Sequence, residues 1–146
     1  MEIAGNSLHK SVLNKLKEWR NSPLQFVKEC IQAVPTTQQI ELLLNVQKEK
    51  RISIRSGHGT GKDAAMSWVI VWFMTTRPYA KVVCTAPTNR QLHDILVSEI
   101  SKWLRQSTVA DEFVIHKDII YHREAPKEWW IRFISPSVRA TKEEQA

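Results

Sequence analysis

An α/β domain, with a parallel sheet flanked by helices and a helical segment ahead of it, is what this 146-residue sequence predicts. Three observations predict it. Between residues 51 and 106, short β-branched runs alternate with stretches of helical period in the order strand, helix, strand, helix, the pattern of right-handed crossovers in a parallel sheet. A glycine-rich turn sits where the first strand meets the first of those helices. The composition, 42% apolar and 25% charged, supplies a core for one domain and excludes a disordered tail.

Residues 8–19 place Leu8, Val12, Leu13, Leu16 and Trp19 at helical spacing, and Asn21-Ser22-Pro23 break the run. Pro23 can open a second helix with Leu24, Val27, Ile31 and Val34 on one face, ended by Pro35. Thr36 and Thr37 can cap a third, which carries Ile40, Leu42, Leu43, Leu44 and Val46. The alternation Arg51-Ile52-Ser53-Ile54-Arg55 reads as a strand, and residues 64–76, apolar nearly all round, as a helix laid against a sheet. Lys81-Val82-Val83-Cys84-Thr85 is a β-branched strand. After the turn Ala86-Pro87-Thr88, Leu92, Ile95, Leu96, Ile100, Trp103 and Leu104 mark a helix for which Thr88 is a candidate N-cap. Residues 113–115, 119–121 and 129–134 read as further strands, some of them antiparallel.

Composition also bounds the setting. The longest apolar stretch, residues 66–74, is about half the ~20 residues a bilayer helix requires, and no charged-then-apolar leader opens the chain, so a cytoplasmic protein off the membrane is expected. Cys30 and Cys84 lack CxxC spacing or a histidine at zinc-ligand distance and read as reduced, buried thiols. A net charge of +6 favours a polyanionic partner, although the basic residues are scattered.

The sharpest signal is Arg55-Ser56-Gly57-His58-Gly59-Thr60-Gly61-Lys62-Asp63, between a predicted strand and a predicted helix, where a triphosphate-binding loop must lie. Gly57, Gly59 and Gly61 allow consecutive backbone amides to face phosphate oxygens, and the next helix offers its free N–H groups. Lys62 would reach the β- and γ-phosphates, while His58 and Thr60 would contribute mainly through the loop backbone. The pattern G-x-x-x-x-G-K-[ST] fails twice, with Ser56 for the first glycine and Asp63 for the hydroxyl that normally ligates magnesium. Asp63 can hold Mg²⁺ but adds negative charge beside a triphosphate, so weakened nucleotide binding is expected.

In these residues the chain resembles the terminase large subunits that package viral DNA, a branch of P-loop NTPases related to superfamily-2 helicases. The loop from Arg55 to Lys62 resembles their variant Walker A motif. Upstream, Pro35-Thr36-Thr37-Gln38-Gln39-Ile40-Glu41-Leu42-Leu43 resembles the glutamine motif that recognises adenine, with Gln39 at the best spacing and Gln38 as the alternative. Downstream, Thr85-Ala86-Pro87-Thr88-Asn89-Arg90-Gln91 resembles a segment near the nucleic-acid track, making Thr85, Arg90 and Gln91 candidate DNA contacts. The resemblance implies ATP and Mg²⁺ as cofactors and Lys62 as the catalytic residue. It also implies double-stranded DNA as the substrate, with a terminase small subunit and a portal as partners. A homo-oligomeric parent in the host-cell cytoplasm is the implied setting.

Such ATPases also need an apolar strand ending in Asp-Glu, to hold magnesium and activate water. Here Ile119-Ile120-Tyr121 leads into His122-Arg123, and Ile131-Arg132-Phe133-Ile134 into Ser135-Pro136. The expectation is a helical segment over 1–35 and a partial P-loop ATPase domain over 36–146 that stops before that strand. The polar ending over 141–146 fits that truncation. Such a fragment would bind nucleotide weakly and hydrolyse little. Two other readings stay open: a helicase-like or restriction-type nucleic-acid ATPase, and a non-catalytic DNA-binding module with a degenerate phosphate loop.

Among the aromatics, Trp19, Trp68, Trp72 and Trp103 fall on apolar stripes and read as core rather than base-stacking platforms. Trp129 and Trp130 are adjacent on a strand, so one of them faces away from the core. His116 and His122, with Asp118 between them, read as surface histidines rather than a metal site.

Overall fold

The computed structural model describes residues 2–57 and 59–136; His58 and the polar ending lie outside the described residues. It is an α/β structure in which a small mixed sheet is flanked by helices.

The first helix, α1 (Glu2–Asn21), spans more than the predicted stretch, and among residues 7–21 only Lys15, Leu16 and Trp19 are part-buried. Leu8, Val12 and Leu13 on the expected apolar face are exposed, whereas Trp19 is anchored three ways. Its ring meets Phe26 edge-on at 5.5 Å, its indole N–H donates to Glu29 at 2.7 Å, and its carbonyl accepts from the Trp72 indole at 2.6 Å. Next comes α2 (Pro23–Phe26), started by the Ser22 hydroxyl, which accepts from the Gln25 N–H. This helix widens into a π-turn over Val27–Ile31 and ends at Gln32 in the left-handed region, φ 62°. The predicted continuation to Val34 is therefore corrected: Val34 lies beyond the helix and is almost wholly exposed, since a residue before proline is pushed out of the helical region.

Helix α3 (Thr37–Lys48) starts in a reciprocal capping box. The Thr36 hydroxyl accepts from the Gln39 N–H while the Gln39 side chain accepts from the Thr36 N–H. Helix α4 (Lys62–Thr76), apolar nearly all round after its charged first two residues, is the centre of the molecule, with Trp68, Val71, Trp72 and Met74 buried among α1, α2, α3 and the sheet. Segment 1–35 thus shares one core with the rest.

The predicted strand over 51–55 does not form a strand. It runs from Lys48 to the loop without entering the sheet, and Ile52 and Ile54 are each 39% exposed. Alternation makes the segment suited to a pleated surface, but a strand exists only through a neighbour that completes its hydrogen-bond ladder.

A short turn after α4 leads into β1 (Lys81–Thr85), the predicted strand to the residue. A π-helical stretch over Gln91–Val97 then runs into α5 (Ser98–Gln106), and the Thr88 hydroxyl accepts from the Gln91 N–H at the start of that run. Strands β2 (Phe113–Ile115), β3 (Ile119–His122) and β4 (Trp130–Ile134) follow, in the sheet order β1-β4-β3-β2. Only β1 and β4 are parallel, with Lys81 opposite Trp130 and Thr85 opposite Ile134; β3 pairs antiparallel with both β4 and β2. The expected parallel sheet is thus confined to the β1–β4 pair and the sheet is mixed, with antiparallel pairing among the later strands as their sequence allowed, because β2, β3 and β4 follow one another through connections too short for a crossover.

One sheet face, with Cys84, Ile120, Ile131 and Phe133, packs on the helices, and the other keeps Val83, Arg132 and Ile134 exposed. Trp130 is the tryptophan turned from the core, under the Arg132 guanidinium at 4.2 Å. His122 is buried, not on the surface as expected, because its ring stacks on Trp129 at 3.8 Å. Among the described residues no helix is long and apolar enough to cross a membrane.

Both cysteines are free and buried, and burial pushes the Cys84 thiol up to about 11. Because the thiolate is the nucleophile, Cys84 should react with Ellman's reagent at pH 8 far more slowly in the folded protein than in urea. Equal rates would mean that the strand does not hold it against the helices.

Candidate phosphate-binding site

The turn from α4 to β1 spans only residues 77–80, so helix and strand run in opposite directions, and the start of α4 lies at the carboxyl end of the parallel pair. In open α/β sheets that end is where ligands bind. The glycine-rich loop is delivered there by residues 49–57 and ends in Gly61, the N-cap of α4.

Backbone conformation explains two of the glycines. Gly59 and Gly61 have φ of +75° and +78°, the left-handed region that L side chains resist. Gly57 has open space where a side chain would go, so any constraint on it comes from what approaches the loop from outside. Thr60 ties the turn together by donating toward the Gly57 carbonyl and the Ser56 hydroxyl, both at 3.1 Å. The Gly61 carbonyl accepts the Ala65 N–H at 3.1 Å, the bond that opens α4, while Lys62 and Asp63 point to solvent on its first turn.

Gln39 is the sequence-predicted site residue that the fold brings closest to the loop. Its Nε2 donates to the Gly61 carbonyl at 2.9 Å across 22 residues of sequence. Its neighbour Gln38 is exposed and lines a hollow of about 60 Å³ together with Ser56, Thr60 and Lys62. On the other side of the loop a hollow of about 310 Å³ lies between residues 59–64 and α5, where Glu99, Lys102 and Trp103 form the far wall. Lys102 stands 4.6 Å over the Trp103 ring, whose N–H donates to Glu99 at 2.9 Å. Glu99 and Lys102 escaped sequence reasoning, and Trp103 was read only as core, because their helical stripe carries no local sign of what it faces.

Thr85, Arg90 and Gln91 are all exposed at the carboxyl end of β1 or in the run after it, and Arg90 pairs loosely with Asp94 at 3.9 Å. They share that end of the sheet with the loop but line neither loop-side hollow. Asp111-Glu112 is the sequence's one Asp-Glu dipeptide, and it forms a 3-10 turn before β2. Since β2 runs in the same direction as β4, this pair lies at the opposite end of the sheet from the loop. Among the described residues no group of three or more acidic, histidine or cysteine side chains is placed to hold a metal.

Two roomier hollows lie elsewhere. One, of about 580 Å³, runs between α3 and α4 with Ile52, Ile54, Met66 and Phe73 in its walls; the other, of about 630 Å³, separates α1 from Trp129 and His122. Size does not make either a phosphate site, since neither is lined by the glycine-rich turn. The chain matches no family model, no curated protein and no solved structure.

Alanine substitution should rank the three glycines. Gly61→Ala must adopt a left-handed φ and drive its Cβ into the Gln39 amide, so it should cost more than the ~1–2 kcal/mol of the left-handed penalty alone. Gly59→Ala carries that penalty without the collision, and Gly57→Ala should leave stability unchanged. Urea unfolding of the three variants gives the order directly, and an equal cost for Gly57 would contradict this loop geometry.

Proposed function

We propose that the chain is the ATP-binding part of a terminase large subunit, whose parent couples ATP hydrolysis to the packaging of double-stranded DNA. One observation carries the reading: a glycine-rich loop with left-handed Gly59 and Gly61 feeds Lys62 onto the start of a buried helix, at the carboxyl end of a parallel strand pair. Free N–H groups and the positive end of the helix dipole favour a phosphate there, and the exposed Lys62 ammonium adds a full charge for the β- and γ-oxygens. A protein fold of the P-loop NTPase class is the finer form of this proposal.

Asp63 occupies the hydroxyl position on the same first turn. A lone exposed carboxylate suits Mg²⁺ only when phosphate oxygens and water complete the shell, as that ion prefers. Its negative charge opposes a triphosphate at close range, so affinity in the micromolar range or weaker is expected. Lys62 is then the catalytic group this stretch supplies, through charge stabilisation of the transferring phosphoryl. Gln38 and Gln39 flank the loop on the side where a base would sit, and Thr85, Arg90 and Gln91 offer exposed polar groups to DNA at the same end of the sheet. In the intact parent a small subunit, a portal and further copies of the chain would complete the motor.

A second reading, a DNA-binding module with a disabled phosphate site, draws on Asp63 and the net charge of +6. Calorimetric titration with Mg-ATPγS separates the two. Binding that Lys62→Ala abolishes, and that Asp63→Thr strengthens by about tenfold, is the outcome expected for a charge-weakened phosphate loop. Absence of nucleotide binding in all three proteins, together with steeply salt-dependent binding to duplex DNA, would favour the second reading.

A further inference from the structure

We propose that Gln39 is a positioning residue that sets the phosphate loop, and not the group that reads the base. The inference rests on the phosphate-loop reading above and assigns Gln39 a role different from the adenine contact its sequence context suggests.

The side chain is 7% exposed and both ends of its carboxamide are engaged inside the protein. Oε1 accepts from the Thr36 N–H at 2.9 Å, and Nε2 donates to the Gly61 carbonyl at 2.9 Å. Reading adenine takes one N–H and one oxygen lone pair presented together on an accessible edge. Both glutamines line the small hollow beside Lys62, but Gln39 spends one of each on backbone and is 7% exposed, whereas the neighbouring Gln38 side chain is exposed.

What the Gly61 contact accomplishes follows from peptide geometry. The Gly61 carbonyl and the Lys62 N–H belong to one planar trans unit, so fixing the carbonyl toward Gln39 fixes the direction of that N–H on the opposite side. The same carbonyl accepts the Ala65 N–H, so Gln39 joins the first bond of α4 to the first turn of α3. Glycine at 61 is what permits the approach, because a Cβ there would occupy the place of the Gln39 amide. The amide of Lys62 is one of the donors a bound phosphate would meet, and Gln39 holds it aimed before the ligand arrives. Preorganisation of this kind strengthens binding by removing an ordering cost.

The test compares Gln39→Met, which loses both bonds, with Thr36→Ala, which weakens the α3 cap but leaves the Gly61 bond in place. Each is titrated with Mg-ATPγS, Mg-GTPγS and inorganic tripolyphosphate, and each is melted. Gln39→Met should weaken all three ligands by about five- to tenfold, the scale of one lost hydrogen bond, while Thr36→Ala stays within about twofold of the unaltered protein. Selective loss of ATP with tripolyphosphate retained would make Gln39 a base reader and overturn the proposal. Equal loss in Thr36→Ala, tracking the melting temperature, would reduce Gln39 to a helix cap and overturn it as well. If the unaltered protein and Lys62→Ala bind tripolyphosphate equally poorly, the phosphate-loop reading itself fails and takes the proposal with it.

Discussion

Two hydrogen bonds converge on the carbonyl of Gly61, one from the Gln39 side chain and one from the Ala65 backbone, and the arrangement of the loop depends on them. The first ties α3 to the loop, and the second begins α4. A left-handed residue must occupy position 61 for the chain to turn from the loop into the helix, and its missing side chain makes room for Gln39. Local backbone permission and tertiary contact thus select the same residue type at the same place, the agreement between levels expected of a well-specified fold.

From that junction the rest of the architecture follows through α4. Its apolar surface is nearly continuous, so it is surrounded: Trp72 reaches the Trp19 carbonyl of α1, Trp68 meets Trp103 of α5 edge-on at 5.3 Å, and the Met74 carbonyl accepts from the Trp129 indole. At its far end the Arg77 guanidinium lies 4.5 Å over both Trp72 and Phe73, closing the helix before the turn into β1. Because that turn is short, the direction of α4 decides which end of β1 meets the glycine loop. The Trp72 and Trp129 indoles serve here as hydrogen-bonded packing pieces, each donating to a backbone carbonyl, whereas the buried Trp68 N–H meets no acceptor among the described residues.

Elements with a strong local code were legible in the sequence. The β-branched run 81–85, the caps at Thr36 and Thr88, and the apolar stretch before Arg77 specify themselves through propensity and capping chemistry. The region over 51–55 has the right alternation and still forms no strand, since its pairing depends on a neighbour and not on its own residues. Strand order was hidden for the same reason, as was the stacking that buries His122 on Trp129. At the candidate site the glycines, Lys62 and Asp63 could be read from spacing. The capping-box spacing from Thr36 to Gln39 was also present, but nothing local revealed that the same glutamine reaches Gly61, 22 positions away.

A phosphate-binding loop makes a residue-level claim about backbone amides, which amide NMR reads directly. Addition of Mg-ATPγS to the ¹⁵N-labelled chain should shift the N–H signals of Gly57, Gly59, Gly61, Lys62 and Asp63 first and most strongly, with smaller changes in α3 near Gln39. Saturable shifts confined to the groove between α3 and α4, with those five signals unmoved, would contradict the account.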